Sequence, residues 1–207
     1  MSTILVHYSK RNRLIRFIHL GVFPLSLALS LGIFLHAYWT NEEHFRDCQV
    51  IEIVLNEIIS RANTKKEHKL CIDDHFVNFV LDYQTEEVVR VLGKSSVDLI
   101  HDAISRGKQA NRGNNKFSFK FQNKDIEVIN LTWMKTYKGL TSIKFWEDHP
   151  DAFGYAYSHR PGYSKDGQTA LVVVELGPSI HSRMYACLLR KTNNHWHILN
   201  SKLVDFQ

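Results

Sequence analysis

Between Phe17 and Trp39 the chain reads FIHLGVFPLSLALSLGIFLHAYW, a run that holds no Asp, Glu, Lys or Arg. A helix of this length, at about 1.5 Å per residue, reaches roughly 35 Å, enough to cross a hydrocarbon core of about 30 Å. No water satisfies backbone groups there, so such a segment has to be helical. Lys10, Arg11, Arg13 and Arg16 precede the run, and Glu42 and Glu43 follow it. Cations stay on the cytoplasmic side, which predicts a basic cytoplasmic tail (1–16), one transmembrane helix (17–39) and an extracytoplasmic domain (40–207). The expected protein is therefore single-pass and membrane-anchored. A cleaved signal peptide is the competing reading. It calls for a shorter apolar core and a small-x-small cleavage site, whereas Leu35-His36-Ala37 puts a bulky residue at a small position.

The charge distribution narrows the partners. Of 26 Lys and Arg, four lie in residues 1–16, which carry none of the 21 Asp and Glu. The remainder is 22 against 21, so the domain itself is close to neutral. The basicity belongs beside the membrane, where it orients the span and attracts anionic lipids. A nucleic-acid surface is disfavoured. Partners consistent with this are the membrane, an envelope protein or a small ligand. Residues 40–207 are enough chain for one domain with a core of its own.

Local pattern outlines the domain. Thr40-Asn41-Glu42-Glu43 has the form of a capping box, and Val50, Val54 and Ile58 beside Ile51, Leu55 and Ile59 form the apolar stripe of a helix ending near Arg61–Lys66. Asp73 or Asp74 can cap a second helix carrying Phe76, Phe79, Val80 and Tyr83, with a short strand as the alternative. Thr85–Leu92 reads as a short helix stopped by Gly93. Ser95 with Asp98 opens another, with Val97, Ile100 and Ile104 inward and Gly107 just past its end. Lys108–Lys116 reads as a loop.

Beyond that loop the period falls to two. Phe117, Phe119 and Phe121 alternate with polar residues, Asn123-Lys124-Asp125 turns the chain, and Ile126–Trp133 follows as a strand. Tyr137–Asp151 is irregular with a possible helical turn. Phe153, Tyr155 and Tyr157 alternate again, and Thr169–Leu176 is a β-branched run whose expected inward set is Ala170, Val172 and Val174. Met184–Leu189 and His195–Leu199 flank the turn-prone Lys191-Thr192-Asn193-Asn194. Helices first and strands afterwards predict an α+β domain, with helices packed on an antiparallel sheet.

The stretch from Tyr157 through Ser158-His159-Arg160-Pro161-Gly162-Tyr163, Asp166-Gly167 and Ala170-Leu171-Val172 resembles a hairpin of small exported bacterial proteins of uncharacterised function. The ending from Leu188-Leu189-Arg190-Lys191 to Trp196-His197-Ile198 is similar too, and the whole also looks like the end of a cystatin- or NTF2-like sheet, where a Trp on the last strand closes a cone-shaped core. The resemblance implies a fold and a compartment and no reaction. Those relatives often have a Gly- and Cys-rich linker where this chain has Gly177-Pro178-Ser179-Ile180, so it implies no disulfide there.

The candidate sites are sparse. The aromatic group from Phe145 to Tyr163 is a sheet core or a ligand mouth. Trp146, Tyr155, Tyr157 and Tyr163 with Arg160 are the expected ligand-binding residues, and Arg160 would hold an anionic or carbonyl group. The turn pairs Pro161-Gly162 and Asp166-Gly167 give Arg160 and Asp166 an alternative role as braces of the hairpin. His195-x-His197 could join His159 or His181 around a transition metal, but no carboxylate or Cys falls at ligand spacing, and neither a metal nor a cofactor is expected. Asp73-Asp74-His75 and Glu147-Asp148-His149 hold the parts of an acid–base site on consecutive residues, which rarely face one pocket. Cys48, Cys71 and Cys187 are small buried hydrophobes, or Cys48 and Cys71 form a disulfide. A binding domain of unknown ligand is the leading expectation. A small His/Asp-dependent hydrolase or metal-dependent enzyme is the alternative.

Overall fold

The computed structural model describes residues 23–62, 69–77, 82–110, 121–131, 141–177 and 183–205. Two compact units divide at His44 and Phe45. Helix α1 (Phe23–Ala62) runs without interruption through Thr40, so Thr40 is not a cap as expected; local helix propensity on both sides outweighs the capping pattern. In the first unit Leu29, Leu31, Ile33 and Leu35 are exposed. Residues 17–22 of the expected span lie outside the described residues, and among the described residues no helix is long and apolar enough to cross a membrane. The linker at 63–67 also lies outside them, as do Phe79, Val80, Phe117, Phe119 and His181.

The second unit is built on a seven-stranded sheet. Its strands are β1 (Lys69–Asp73), β2 (Ile126–Ile129), β3 (Ala152–Ser158), β4 (Gly162–Tyr163), β5 (Thr169–Gly177), β6 (Arg183–Thr192) and β7 (His195–Asp205). The order is β2-β1-β3-β5-β6-β7, with β4 paired to β5. Here the expected antiparallel sheet is corrected: β1 runs parallel to both β2 and β3, and only the pairings from β3 to β7 are antiparallel. Parallel neighbours need crossovers. Between β1 and β2 lie α2 (Asp82–Leu92), a 3-10 turn (Lys94–Ser96) and α3 (Val97–Ala110), and between β2 and β3 lies α4 (Thr141–Asp148).

Both faces of this sheet are covered. Val50, Ile51, Val54, Leu55 and Ile58, the stripe on α1, pack with Ile72, Val172, Val174, Tyr185, Cys187 and Trp196. On the other face, Val88, Leu92, Leu99 and Ile100 of α2 and α3 pack with Leu171, Val173, Met184 and Ala186. Ala170 to Val174 are therefore all buried, where one alternating set was expected, because helices cover both sides of β5. Phe145 of α4 packs with Cys71, Leu131 and Ala152 on a third patch, with Tyr155 and Tyr157 against it. Where a second helix was expected to start at Asp73 or Asp74, Asp73 closes β1 and the chain goes on through a bend and an isolated bridge at Val77, with residues 78–81 outside the described residues; α3 extends through Gly107 to Ala110. At the tip of the β6–β7 hairpin Asn193 and Asn194 both have positive φ (51° and 64°), the backbone a two-residue turn between right-twisted strands requires.

Candidate functional site

Asp47 lies on the same helical line as Ile51 and Leu55, and Arg106 on the same line as Leu99 and Ala103. Both charges are thus carried into buried positions by the stripes that build the core. A buried charge has to find a partner. Arg106 Nη1 and Nη2 donate to Asp47 Oδ1 and Oδ2 at 3.0 and 3.1 Å, a two-pronged pair that ties α1 to α3. Arg106 Nη1 also donates to the carbonyl of Pro161, and the Tyr163 hydroxyl donates to Asp47 Oδ1 at 3.0 Å. Arg160 Nε stands 3.8 Å from Asp47 Oδ2, and the Arg46 guanidinium lies 3.9 Å above the Tyr163 ring. Burial pushes the Asp47 carboxyl above the usual range, and Arg106, Arg160 and the Tyr163 hydroxyl pull it back. Burial likewise holds the Tyr163 phenol well above its ordinary value. The backbone is as tightly fixed as the charges: Asp102 Oδ2 accepts from the Tyr163 amide at 2.8 Å, and a Cβ on Gly162 would come within 1.8 Å of the Leu99 carbonyl oxygen. Only glycine lets β4 lie this close to α3.

A different polar group lies where β1, β2 and β3 end. Parallel strands bring their carboxyl ends to one edge, the place where open sheets hold ligands. Asp73 closes β1, fully buried, and its Oδ1 accepts from the Leu131 amide at 3.1 Å. Next to it, His75 Nδ1 lies 2.5 Å from Asp74 Oδ1 and 3.8 Å from Asp73 Oδ1. Beyond β3, His159 is buried with Nε2 2.8 Å from Glu175 Oε1, while the Glu175 side chain keeps 29% of its surface exposed. Tyr157 sits opposite Glu175 in the sheet, and burial, with Tyr155, Asp73 and Glu175 adding to it, raises its phenol above the ordinary range. Phe145, Trp146, Tyr155 and Tyr157 make one edge-on aromatic chain, with centroids 5.0, 4.9 and 5.8 Å apart. A Cβ on Gly177 would come within 2.2 Å of the Tyr155 ring, so glycine there makes room for that ring.

These placements divide the expected ligand-binding residues. Trp146, Tyr155 and Tyr157 gather on the α4 face, as the alternation of β3 and the register of α4 allow. Tyr163 is buried in the α1 core against Trp196, and Arg160 turns toward Asp47 with its guanidinium 5.0 Å above Phe76. The single mouth expected around all five is therefore corrected: successive side chains of a strand point to opposite faces, and Pro161-Gly162 turns the chain before Tyr163. Asp166 accepts from Ser164 Oγ at 2.5 Å and from the Gln168 amide at 3.0 Å, the bracing alternative for that residue. His195 and His197 are exposed on β7 and belong to no described group of three ligating atoms within 4.8 Å. Cys48, Cys71 and Cys187 are free thiols, each buried and each pushed up to about 12.

Comparison of the chain with protein-family models, curated proteins and solved structures returns no match.

Proposed function

We propose that this is a membrane-anchored, extracytoplasmic binding domain, and that its ligand carries a positive charge on an apolar body. The observation that carries the second half is the company of the aromatic side chains. Trp146, Tyr155 and Tyr157 share their sheet face with Asp73 and Glu175, whereas Arg160 belongs to the Asp47 cluster. Aromatic faces beside carboxylates attract an ammonium through the ring quadrupole and through charge. The anionic ligand expected from Arg160 is thereby replaced by its opposite. An organic amine and a lysine of an envelope protein offer the same chemistry.

A His/Asp-dependent hydrolase is the second reading, favoured by the His159–Glu175 contact at 2.8 Å, which fixes an imidazole beside a carboxylate. The thiols are held at about 12, which argues against a cysteine nucleophile in such an enzyme. From the exported-protein resemblance we keep the compartment. From the cystatin- or NTF2-like likeness we keep the antiparallel end of the sheet, with Trp196 buried on β7.

Two experiments test this reading. Calorimetric titration of the full chain in detergent with benzyltrimethylammonium and with phenylacetate should give binding for the cation and none for the anion. Preference for phenylacetate overturns the ligand class. A reporter fused after Gln207 should be active only outside the cytoplasm, and activity of a cytoplasm-only reporter there overturns the topology.

A further inference from the structure

Below the Asp73 group, the same face brings together three side chains from three elements. Cys71 of β1 and Glu127 of β2 are register partners, and His149 directly follows α4. The Cys71 Sγ, a Glu127 carboxylate oxygen and a His149 ring nitrogen all lie within 4.8 Å of one another. We infer that Cys71, Glu127 and His149 form a site for a borderline transition-metal ion of the Zn²⁺ class.

The donor set fits that ion. Thiolate, imidazole and carboxylate together suit Zn²⁺ and its neighbours, whereas Mg²⁺ and Ca²⁺ take oxygen alone. Tetrahedral bonds of about 2.0–2.3 Å place ligand atoms roughly 3.3–3.8 Å apart, so the widest pair has to close by at most about 1.5 Å. Glu127 can supply that movement. Its side chain is 41% exposed, and its contact with Lys69 at 3.3 Å is a surface ion pair of the kind worth at most about 1 kcal/mol. His149 is held in place: its amide donates to the Phe145 carbonyl at 2.8 Å, and its ring stands 5.2 Å from that of Phe145. Three protein ligands leave a fourth position for water or a ligand atom, the arrangement of reactive rather than purely structural zinc sites. On binding, the thiol S–H bond breaks, sulfur keeps the electron pair to bond the metal, and the proton leaves to solvent.

The test is metal content and spectroscopy of the full chain in detergent, without a histidine tag. After incubation with Zn²⁺ and dialysis, the wild type should retain one ion per chain. Replacement by Co²⁺ should give a sulfur-to-cobalt charge-transfer band in the near ultraviolet. His149→Gln, at a half-buried position, should lose the retained ion, and His197→Ala should keep it. Cys71→Ser should lose the band, and the wild-type band makes the assignment independent of how well that buried variant folds. No retained ion in the wild type overturns the inference. So does retention by His149→Gln with loss in His75→Ala, which would move the ion to Asp73, Asp74 and His75. The benzyltrimethylammonium titration reads the aromatic face separately, so the two readings can fail independently.

Discussion

The Asp47–Arg106 cluster and the Asp73–Glu175 face both hold buried carboxylates and pair them differently. In the first, acid and guanidinium meet in a two-pronged pair, with a phenol and a backbone carbonyl taking up the remaining geometry. Such an arrangement has little left to offer a ligand. In the second, the carboxylates of Asp74 and Glu175 meet imidazoles, Glu175 stays partly open to solvent, and a row of aromatic rings borders them. The lesson is that burial and charge alone do not mark function. The two regions differ in the partner each carboxylate has: a guanidinium in the first, imidazoles and partial solvent exposure in the second.

The largest effects should fall on the first region. Arg106→Ala leaves Asp47 buried without its main counter-charge and should cost about 3–5 kcal/mol in urea melts, as loss of one partner of a buried pair does. A cost below about 1 kcal/mol would show water reaching the cluster. Trp196→Ala should lose a similar amount, about 3–5 kcal/mol, because that ring is buried in the α1 core.

Alkaline pH should destabilise the same core. The Cys48 and Cys187 thiols ordinarily titrate near 9.0 and are pushed up to about 12 here. Below pH 9 the folded and unfolded chains both hold these protons, so nothing changes. Between 9 and 12 only the unfolded chain releases them, so stability falls across that window and the loss is complete above it. Melting temperatures at pH 8 and pH 10 check the sign, and a flat profile would mean the thiols are accessible. Native protein at pH 8 should also resist alkylation at both positions, whereas the unfolded chain should react.

The smallest expected change in stability is that of Arg160→Ala. Its contact with Asp47 is long at 3.8 Å and its guanidinium stands over the Phe76 ring, so about 1 kcal/mol is expected, with cation binding unchanged. A large loss of binding would return Arg160 to the ligand.

Much of the second unit could be read locally. The apolar stripe from Val50 to Ile59, the stop at Gly93, the turn at Asn193-Asn194 and the strands after Phe153 each leave a periodic or turn signal within a few residues of chain, and pattern reports those well. Residues separated by long stretches of chain were less legible. Cys71, Glu127 and His149 converge only because β1 pairs in parallel with β2 and α4 returns over both, and no spacing encodes that register. The same holds for His159 with Glu175 and for the split of Tyr155 from Tyr163. One signal was available and passed over: Asp47 and Arg106 interrupt apolar stripes, and a charge on a buried line announces a buried partner. The KLCID strand was hidden because five residues carry too little alternation to tell a strand from a helix end.

The central claim is that the α4 face serves a ligand while the Asp47 cluster serves the fold, and one calorimetric comparison tests it directly. Benzyltrimethylammonium is titrated into the full-length wild type, Tyr157→Leu and Arg160→Ala, with the fold of each checked by its melting curve. The account predicts equal affinity for wild type and Arg160→Ala, and affinity weakened about tenfold in Tyr157→Leu, the loss of roughly one cation–π contact. Normal binding by Tyr157→Leu together with its loss in Arg160→Ala would contradict the account.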